Sequence, residues 1–140
     1  MYTFTLIITG ILGAISTFYL NNILKLGAVR SSAGLSLVVG LIFYVFPNIA
    51  PAFLAKNIPI VFIGATFIGM VSNEVIAHYF LLALAGALFA IIYVNSSAFF
   101  NGYGGALGTT ASITVLVAVS LAVVSRNKHI EKIKRKVRRR

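Results

Sequence analysis

Residues 109–140 read TTASITVLVAVSLAVVSRNKHIEKIKRKVRRR, and their composition changes abruptly after residue 125. Residues 109–125 contain no charged side chain, whereas nine of the twelve Lys and Arg residues of the chain lie in 126–140. A helix needs about twenty mainly apolar residues to cross roughly 30 Å of hydrocarbon. In lipid, only a helix or a closed barrel satisfies its own backbone polar groups. This stretch therefore predicts a membrane-spanning helix followed by a basic tail.

The remainder of the 140-residue chain has the same apolar character. It is 59% hydrophobic and 10% charged, with a net charge of +10 and a mean hydropathy of +0.99. This composition excludes an intrinsically disordered chain and is foreign to water-soluble nucleic-acid binders. The chain has no cysteine, which excludes disulfides, thiolate metal sites and cysteine nucleophiles. The first twenty residues lack the charged start and the cleavage pattern of a signal peptide, so we expect a permanent span.

Five segments qualify as spans, namely 2–20, 32–54, 58–72, 75–94 and 109–125. We predict an all-α, polytopic membrane protein with a transmembrane domain over 1–125 and a basic cytoplasmic tail over 126–140. Pro47 and Pro51 should bend or break the second span. The third span has fifteen residues, about 22 Å of helix. It therefore crosses a thin layer, lies buried between neighbouring helices, or re-enters the membrane.

The basic residues predict the orientation of the chain, because Lys and Arg beside a span are retained in the cytoplasm. The tail sets the C-terminus inside, and five spans then set the N-terminus outside. Lys25 and Arg30 fall inside, and of the basic residues only Lys56 disagrees. The predicted location is the cell membrane of a bacterium or archaeon, which is the inner membrane in a bacterium that has two.

Two segments of the chain resemble each other. Residues 27–36, GAVRSSAGLS, align with 105–114, GALGTTASIT, and Tyr-Leu-Asn at 19–21 has a counterpart in Tyr-Val-Asn at 93–95. This similarity predicts an inverted repeat of two spans, one linking span and two spans, an arrangement that recurs in transporters. The alternative is that membrane sequences built from few residue types align with themselves by chance.

Each copy of this repeat has two hydroxyl residues at a predicted helix start, Ser31 with Ser32 and Thr109 with Thr110. Hydroxyls cap free amides, and the positive end of the helix dipole favours an anion. The paired starts could hold a carboxylate or another anion, with Arg30 as a further substrate contact. The alternative is ordinary capping at the interface, with Arg30 as a charge that sets the topology.

Glu74 and His78 are the candidates for ion or proton coupling. Glu74 is the only acidic residue outside the tail, and His78 follows at a spacing that places both on one face of the predicted fourth span. Ionisable residues at membrane depth often mark ion or proton pathways. The alternative is a first-turn acid at the cytoplasmic interface, stabilised by the helix dipole. Two such side chains are too few for a metal site, and we predict neither a metal nor a cofactor.

Small residues recur four positions apart in the third and fourth spans, as in Ala65 with Gly69 and Gly86 with Ala90. Such residues let the backbones of neighbouring helices approach closely. We expect them at helix–helix contacts.

The tail carries Ile130, Ile133 and Val137 at helical spacing among its basic residues. This pattern predicts a short amphipathic helix on the inner leaflet, since each basic residue near anionic lipid contributes about 1 kcal/mol. The alternative is an arm that binds nucleic acid or the ribosome, which we favour less. The predicted lipid-binding residues are Lys132, Lys134, Arg135, Lys136, Arg138, Arg139 and Arg140.

The chain lacks a Walker loop, a Rossmann fingerprint, a nucleophile elbow and a His-Glu-x-x-His motif. We therefore expect no enzymatic activity and no catalytic residues. The predicted function is a small membrane transporter or channel, coupled to protons through Glu74 and His78. The alternative is a non-transporting assembly or accessory subunit that acts through its tail. Five helices enclose little volume, so a transporter would need a homodimer or a second membrane subunit.

Overall fold

The computed structural model describes residues 2–76, 78–96 and 104–138, with side chains described throughout except at Gly104 and 125–138. Five helices make up most of the described chain. They are α1 (Tyr2–Asn22), α2 (Ala28–Val45), α3 (Ala52–Gly69), α4 (Tyr79–Asn95) and α5 (Gly104–Arg138).

These helices confirm the predicted all-α membrane class. α1, α2, α3 and residues 105–124 of α5 are each long and apolar enough to cross a membrane. α4 is also apolar but has 17 residues, about 25 Å of helix. The described residues contain no β-strand.

The second and third helices differ from the predicted spans at the two prolines. α2 ends at Val45 and α3 begins at Ala52, so Pro47 and Pro51 lie in the connection and not inside a span. A residue that precedes proline is disfavoured in the helical conformation, and Phe46, which precedes Pro47, has φ −120° and ψ 68°. The predicted end of the second span at residue 54 was wrong for this reason.

The third helix is longer than the sequence indicated. α3 has 18 residues and contains Pro59 in its interior. A proline is tolerated within a membrane helix where neighbouring groups satisfy the freed carbonyl. With 18 residues, α3 is long enough to cross a membrane. Its length therefore gives no reason to expect a thin or re-entrant third span.

The last two helices also differ at their starts. α4 begins at Tyr79 instead of 75, and α5 begins at Gly104 instead of 109. α5 continues without a break to Arg138. The sequence contains no Gly or Pro after Gly108, so nothing in its local propensity ends the helix at the membrane boundary.

Three helices, α1, α3 and α4, form the centre of the bundle. α1 packs most extensively against α3 and α4, while α2 lies against α3 and α1, and α5 against α4 and α3. The ring of Tyr2 lies 5.7 Å from that of Phe53, so α1 and α3 start together. The ring of Phe18 lies 5.6 Å from that of Tyr79, so α4 starts where α1 ends.

The bundle thus has two distinct ends. We call the end with the last turns of α1 and α3 and the starts of α2 and α4 the basic end, because it contains Lys25 and Arg30. The opposite end, with Pro47 and Pro51, is the proline end. There Tyr93 of α4 donates a hydrogen bond to Asn57 Oδ1 of α3 at 2.7 Å.

Small residues bring the central helices into backbone contact. A methyl group added to Gly10 would lie 2.5 Å from the carbonyl oxygen of Gly86 and 3.3 Å from Ala90 Cβ. One added to Gly13 would lie 3.0 Å from Ala65 Cβ, and one added to Gly69 would meet the carbonyl oxygen of Ala14. The predicted contacts of the small residues in α3 and α4 are therefore confirmed.

Side-chain amides of α1 hold the α3–α4 connection at the basic end. Asn21 Nδ2 donates to the carbonyl oxygen of Met70 at 3.2 Å, and Asn22 Nδ2 donates to that of Val71 at 3.2 Å. Asn22 Oδ1 accepts a hydrogen bond from the backbone N–H of Asn73 at 3.0 Å. These bonds satisfy backbone groups that a helix end leaves unpaired.

Candidate functional site

Glu74 and His78 lie in the α3–α4 connection, and both are exposed. His78 is the residue before α4, and the backbone N–H of Glu74 donates to Ser72 Oγ at 3.2 Å. The predicted placement of both on one helical face is wrong, because α4 begins after His78 and a turn separates the two residues. Within the described ranges, neither side chain forms an ion pair. The alternative of a first-turn acid is wrong for the same reason, because Glu74 lies five residues before the start of α4.

Ser31 and Ser32 are buried at the start of α2, with 2% and 3% of their surface exposed, while Arg30 is exposed. The prediction that these serines cap the helix is wrong. Ser31 Oγ donates to the carbonyl oxygen of Gly27 at 2.8 Å, and Gly27, the cap residue, offers no side chain. Helix capping was wrong here because the chain enters α2 through a glycine at φ 91° and ψ 146°.

Ser32 instead joins α2 to α3. Its Oγ lies 2.8 Å from Thr66 Oγ1, which is fully buried. Thr66 Oγ1 donates its single proton to the carbonyl oxygen of Ile63 at 2.6 Å, so Ser32 is the donor to Thr66. Ser36 Oγ, one turn further along α2, lies 3.4 Å from the same oxygen. We call Ser32, Ser36 and Thr66 the hydroxyl seam.

Two members of the seam, Ser36 and Thr66, were missed in the sequence. The spacing of Ser32 and Ser36 places them one above the other on a helix, and that signal was available. Thr66 was not detectable, because only the packing of α2 against α3 selects it from the other threonines.

The corresponding residues of the second predicted copy lie elsewhere. Thr109 is exposed and Thr110 is half-buried, and both bond to carbonyl oxygens of their own helix, at Gly105 and Ala106. Over the ranges that the structure describes, α2 and α5 are not in contact. The structure therefore does not bring the two hydroxyl pairs together.

α2 is held to the bundle mainly at the basic end. Only Ser31 and Ser32 of this helix are buried. Further along, Leu37 and Tyr44 are 65% and 84% exposed, and a methyl group added to Gly40 would touch nothing within 4 Å. Beyond its first turns, α2 is therefore the loosely packed neighbour of a tightly packed three-helix centre.

One further hydroxyl group is buried near this end. Thr17 of α1 is fully buried beside Gly69, and within the described part of the chain its Oγ1 has no hydrogen-bond partner. Such a group carries a desolvation penalty of about 1–3 kcal/mol. In the same described ranges, no three His, Asp or Glu residues lie close enough together to hold a metal ion.

The tail is helical, as predicted, but it is not a separate helix. Residues 126–138 continue α5, so Lys132, Lys134, Arg135, Lys136 and Arg138 lie on the same helix as the last span. Arg139 and Arg140 lie outside the described residues. The predicted lipid contacts of the tail stay a prediction.

The chain matches no protein-family model, no curated protein and no solved structure. Its own residues are therefore the only guide to its function.

Proposed function

We propose that this chain is a small integral membrane transport protein for a small polar solute or ion. In this proposal the path runs between α2 and the centre formed by α1, α3 and α4, and the hydroxyl seam lines its entrance at the basic end. The observation that carries the proposal is the 2.8 Å contact between Ser32 and Thr66, two buried hydroxyls on different helices.

The energetics of such a contact suit a binding site. Interhelical hydrogen bonds in membrane proteins average only about 0.6 kcal/mol, whereas an unpaired buried hydroxyl costs about 1–3 kcal/mol. Ser32 and Thr66 therefore lose little when a solute or water replaces their mutual bond, provided that the new partner offers the same hydrogen bonds. A polar solute meets that condition and lipid does not.

The loose packing of α2 supports movement of this helix. Its contact with the centre is tightest around Ser31 and Ser32, and beyond them it presents a glycine, Gly40, with no atom close to it. A helix held at one end and loosely packed elsewhere is a suitable moving element, because displacing it breaks few contacts.

The proposed orientation follows from the positive charges, with the N-terminus outside and the basic end in the cytoplasm of a bacterial or archaeal cell. The hydroxyl seam would then face the cytoplasmic side. The inverted-repeat hypothesis adds a second, outward-facing half around α5. The site would be completed in a homodimer or with a second membrane subunit, since one copy surrounds little volume.

Flux into liposomes tests the proposal. The purified protein is reconstituted around a pH-sensitive dye and challenged with amino acids, organic anions and monovalent cations. Ser32→Ala and Thr66→Val should each lower the flux of the accepted solute about tenfold, the effect of losing one hydrogen bond of roughly 1.4 kcal/mol. The matched control is Ser112→Ala, because Ser112 is exposed and bonds to Gly108 of its own helix.

The same assay separates the outcomes. Coupling through Glu74 predicts that Glu74→Gln abolishes proton movement, whereas a channel or uniporter gives flux without proton movement. The transport proposal fails if vesicles that contain folded protein show no flux of any solute, or if the seam variants behave like Ser112→Ala.

A second function, an assembly or accessory subunit, is favoured by one specific observation. α5 continues as one helix through the basic tail to Arg138, well beyond the apolar window that ends at Val124. A basic helix that extends from the span on the cytoplasmic side is suited to contact anionic lipid headgroups or a partner complex. Deletion of residues 129–140 should abolish that function and leave flux unchanged, which is the reverse of the effect of the seam variants.

A further inference from the structure

The part of α5 beyond the membrane boundary, residues 125–138, is called here the basic extension. α5 has 35 residues, about 52 Å of helix. The apolar window 105–124 accounts for about 30 Å, which matches the thickness of the hydrocarbon core. The basic extension therefore continues for about 21 Å past that core.

The basic extension continues the last span as one helix. Its backbone is helical without interruption from Gly104 to Arg138, and a helix that turned at the boundary would need a break. Headgroups add about 5–7 Å beyond the hydrocarbon on each side. Lys132 lies eight residues past Val124, about 12 Å along the axis, so this residue and those after it lie beyond the headgroups.

The basic extension has the pattern of a helix that packs against another helix. Ile130, Ile133 and Val137 are three and four residues apart, the spacing of the a and d positions of a heptad repeat. Lys134 and Lys136 then occupy the e and g positions that flank this stripe. An apolar stripe bordered by positive charge is complementary to a helix that is apolar on one face and acidic beside that face.

The same spacing recurs in the membrane part of α5, which precedes the basic extension. Leu116, Val119 and Val123 have the same steps of three and four, but Arg126 occupies the next position of this pattern before Ile130. Leu116 and Val123 are 65% and 53% exposed, whereas the buried residues of α5, Ala111, Thr114 and Ala118, lie in a different register. Val119 packs against the core, and Arg126 interrupts the pattern, so the apolar stripe of the basic extension begins at Ile130.

We propose that the basic extension docks an acidic, amphipathic helix of a partner protein. The charges argue against a second copy of this chain, because a parallel pair of basic extensions would bring seven basic residues of each chain beside those of the other. The apolar stripe argues against nucleic acid, because a protein binds nucleic acid mainly through its phosphates. A row of Ile and Val makes no such contact. This inference is independent of the transport proposal.

Binding of a designed probe tests the docking site in the full-length protein. The protein is placed in nanodiscs of zwitterionic lipid and titrated with a fluorescent four-heptad peptide that has Ile at a, Leu at d and Glu at e and g. Fluorescence anisotropy reports binding. The reference probe is a peptide of the same composition in scrambled order, which keeps the charge and loses the apolar face.

Two pairs of variants separate register from charge. Lys134→Gln with Lys136→Gln removes two charges at the flanking positions, and Lys132→Gln with Arg138→Gln removes two charges elsewhere on the same helix. The first pair should weaken binding several-fold more than the second. Ile130→Ser with Ile133→Ser should weaken binding roughly tenfold or more while the charge is unchanged.

Several outcomes would overturn the proposal. They are equal binding of the scrambled peptide, equal losses in the two lysine and arginine pairs, and no loss in the isoleucine variants. Tighter binding of a single-stranded oligonucleotide that the isoleucine variants do not alter would indicate nucleic acid instead. Loss of peptide binding when the nanodiscs contain anionic lipid, with a label at residue 133 quenched by the bilayer, would indicate lipid. None of these results depends on whether the protein transports a solute.

Discussion

Replacing Gly86 with alanine should separate α1 and α4, whose backbones are in close contact at this residue. The new methyl group would lie 2.6 Å from the carbonyl oxygen of Gly10, 2.9 Å from its carbonyl carbon and 3.1 Å from the Cα of Ile11. All three atoms belong to the backbone of α1, so no side-chain rotation relieves the overlap.

The size of the effect follows from these distances. A relaxed contact between carbon and a carbonyl oxygen needs about 3.3 Å or more, so α1 and α4 must move apart by about 0.7 Å. A gap of that size forfeits about a quarter to a half of each neighbouring van der Waals contact, and overpacking costs about 1–3 kcal/mol. Alanine recovers up to about 1 kcal/mol of helix propensity. We expect a net loss of about 1–2 kcal/mol.

Unfolding in a mixed-micelle titration, followed by far-ultraviolet circular dichroism, measures this loss. The matched control is Gly34→Ala in α2, where an added methyl group meets nothing within 4 Å. The control should be neutral or stabilised by up to about 1 kcal/mol. If Gly86→Ala and Gly34→Ala unfold at the same denaturant concentration, the close contact between α1 and α4 is refuted.

Three further substitutions test single features by the same titration. Thr17→Val removes the unpartnered buried hydroxyl and should stabilise the protein by about 1 kcal/mol or more; in Thr9→Val, where a bond to the carbonyl oxygen of Thr5 is lost, no such gain should appear. Asn22→Ala should cost about 1–3 kcal/mol, because it leaves backbone groups of the α3–α4 connection unpaired; an equal result for Asn95→Ala, whose amide bonds only within α4, would contradict this. Gly27→Ala should cost about 1–3 kcal/mol in spite of the free space around it, since φ is +91°, and unchanged stability would show that the backbone there relaxes without strain.

Much of the fold could be predicted because it depends on composition and local chemistry. Runs of apolar residues must form helices in lipid, where no other open structure pairs its backbone groups, and all five helices were expected from such runs. The boundaries were less accurate, since they depend on where the chain turns. Pro47 and Pro51 were recognised as breakers, but the sequence alone did not show that α3 would start at Ala52 and keep Pro59 inside it.

The candidate site was predicted only in part, for a reason that also lies in packing. Ser31 and Ser32 were selected by their position at a helix start, but the structure buries both and neither caps the helix. Their partner Thr66 is 34 residues away from Ser32 in the chain, and only the approach of α2 to α3 brings it close. Glu74 was selected because it is the single acid outside the tail, yet the late start of α4 leaves it exposed in a turn.

The sequence by itself determined the all-helical class of the protein and the number of its helices, because hydrophobic length acts through the local chain. The tertiary structure alone decided which helices touch. The glycines of α1 could have faced lipid or any neighbour, and they face Gly86 and Ala65 because there the backbones approach without obstruction. The same packing left α2 at the edge of the bundle, joined to α3 through a hydroxyl contact that no local pattern specifies.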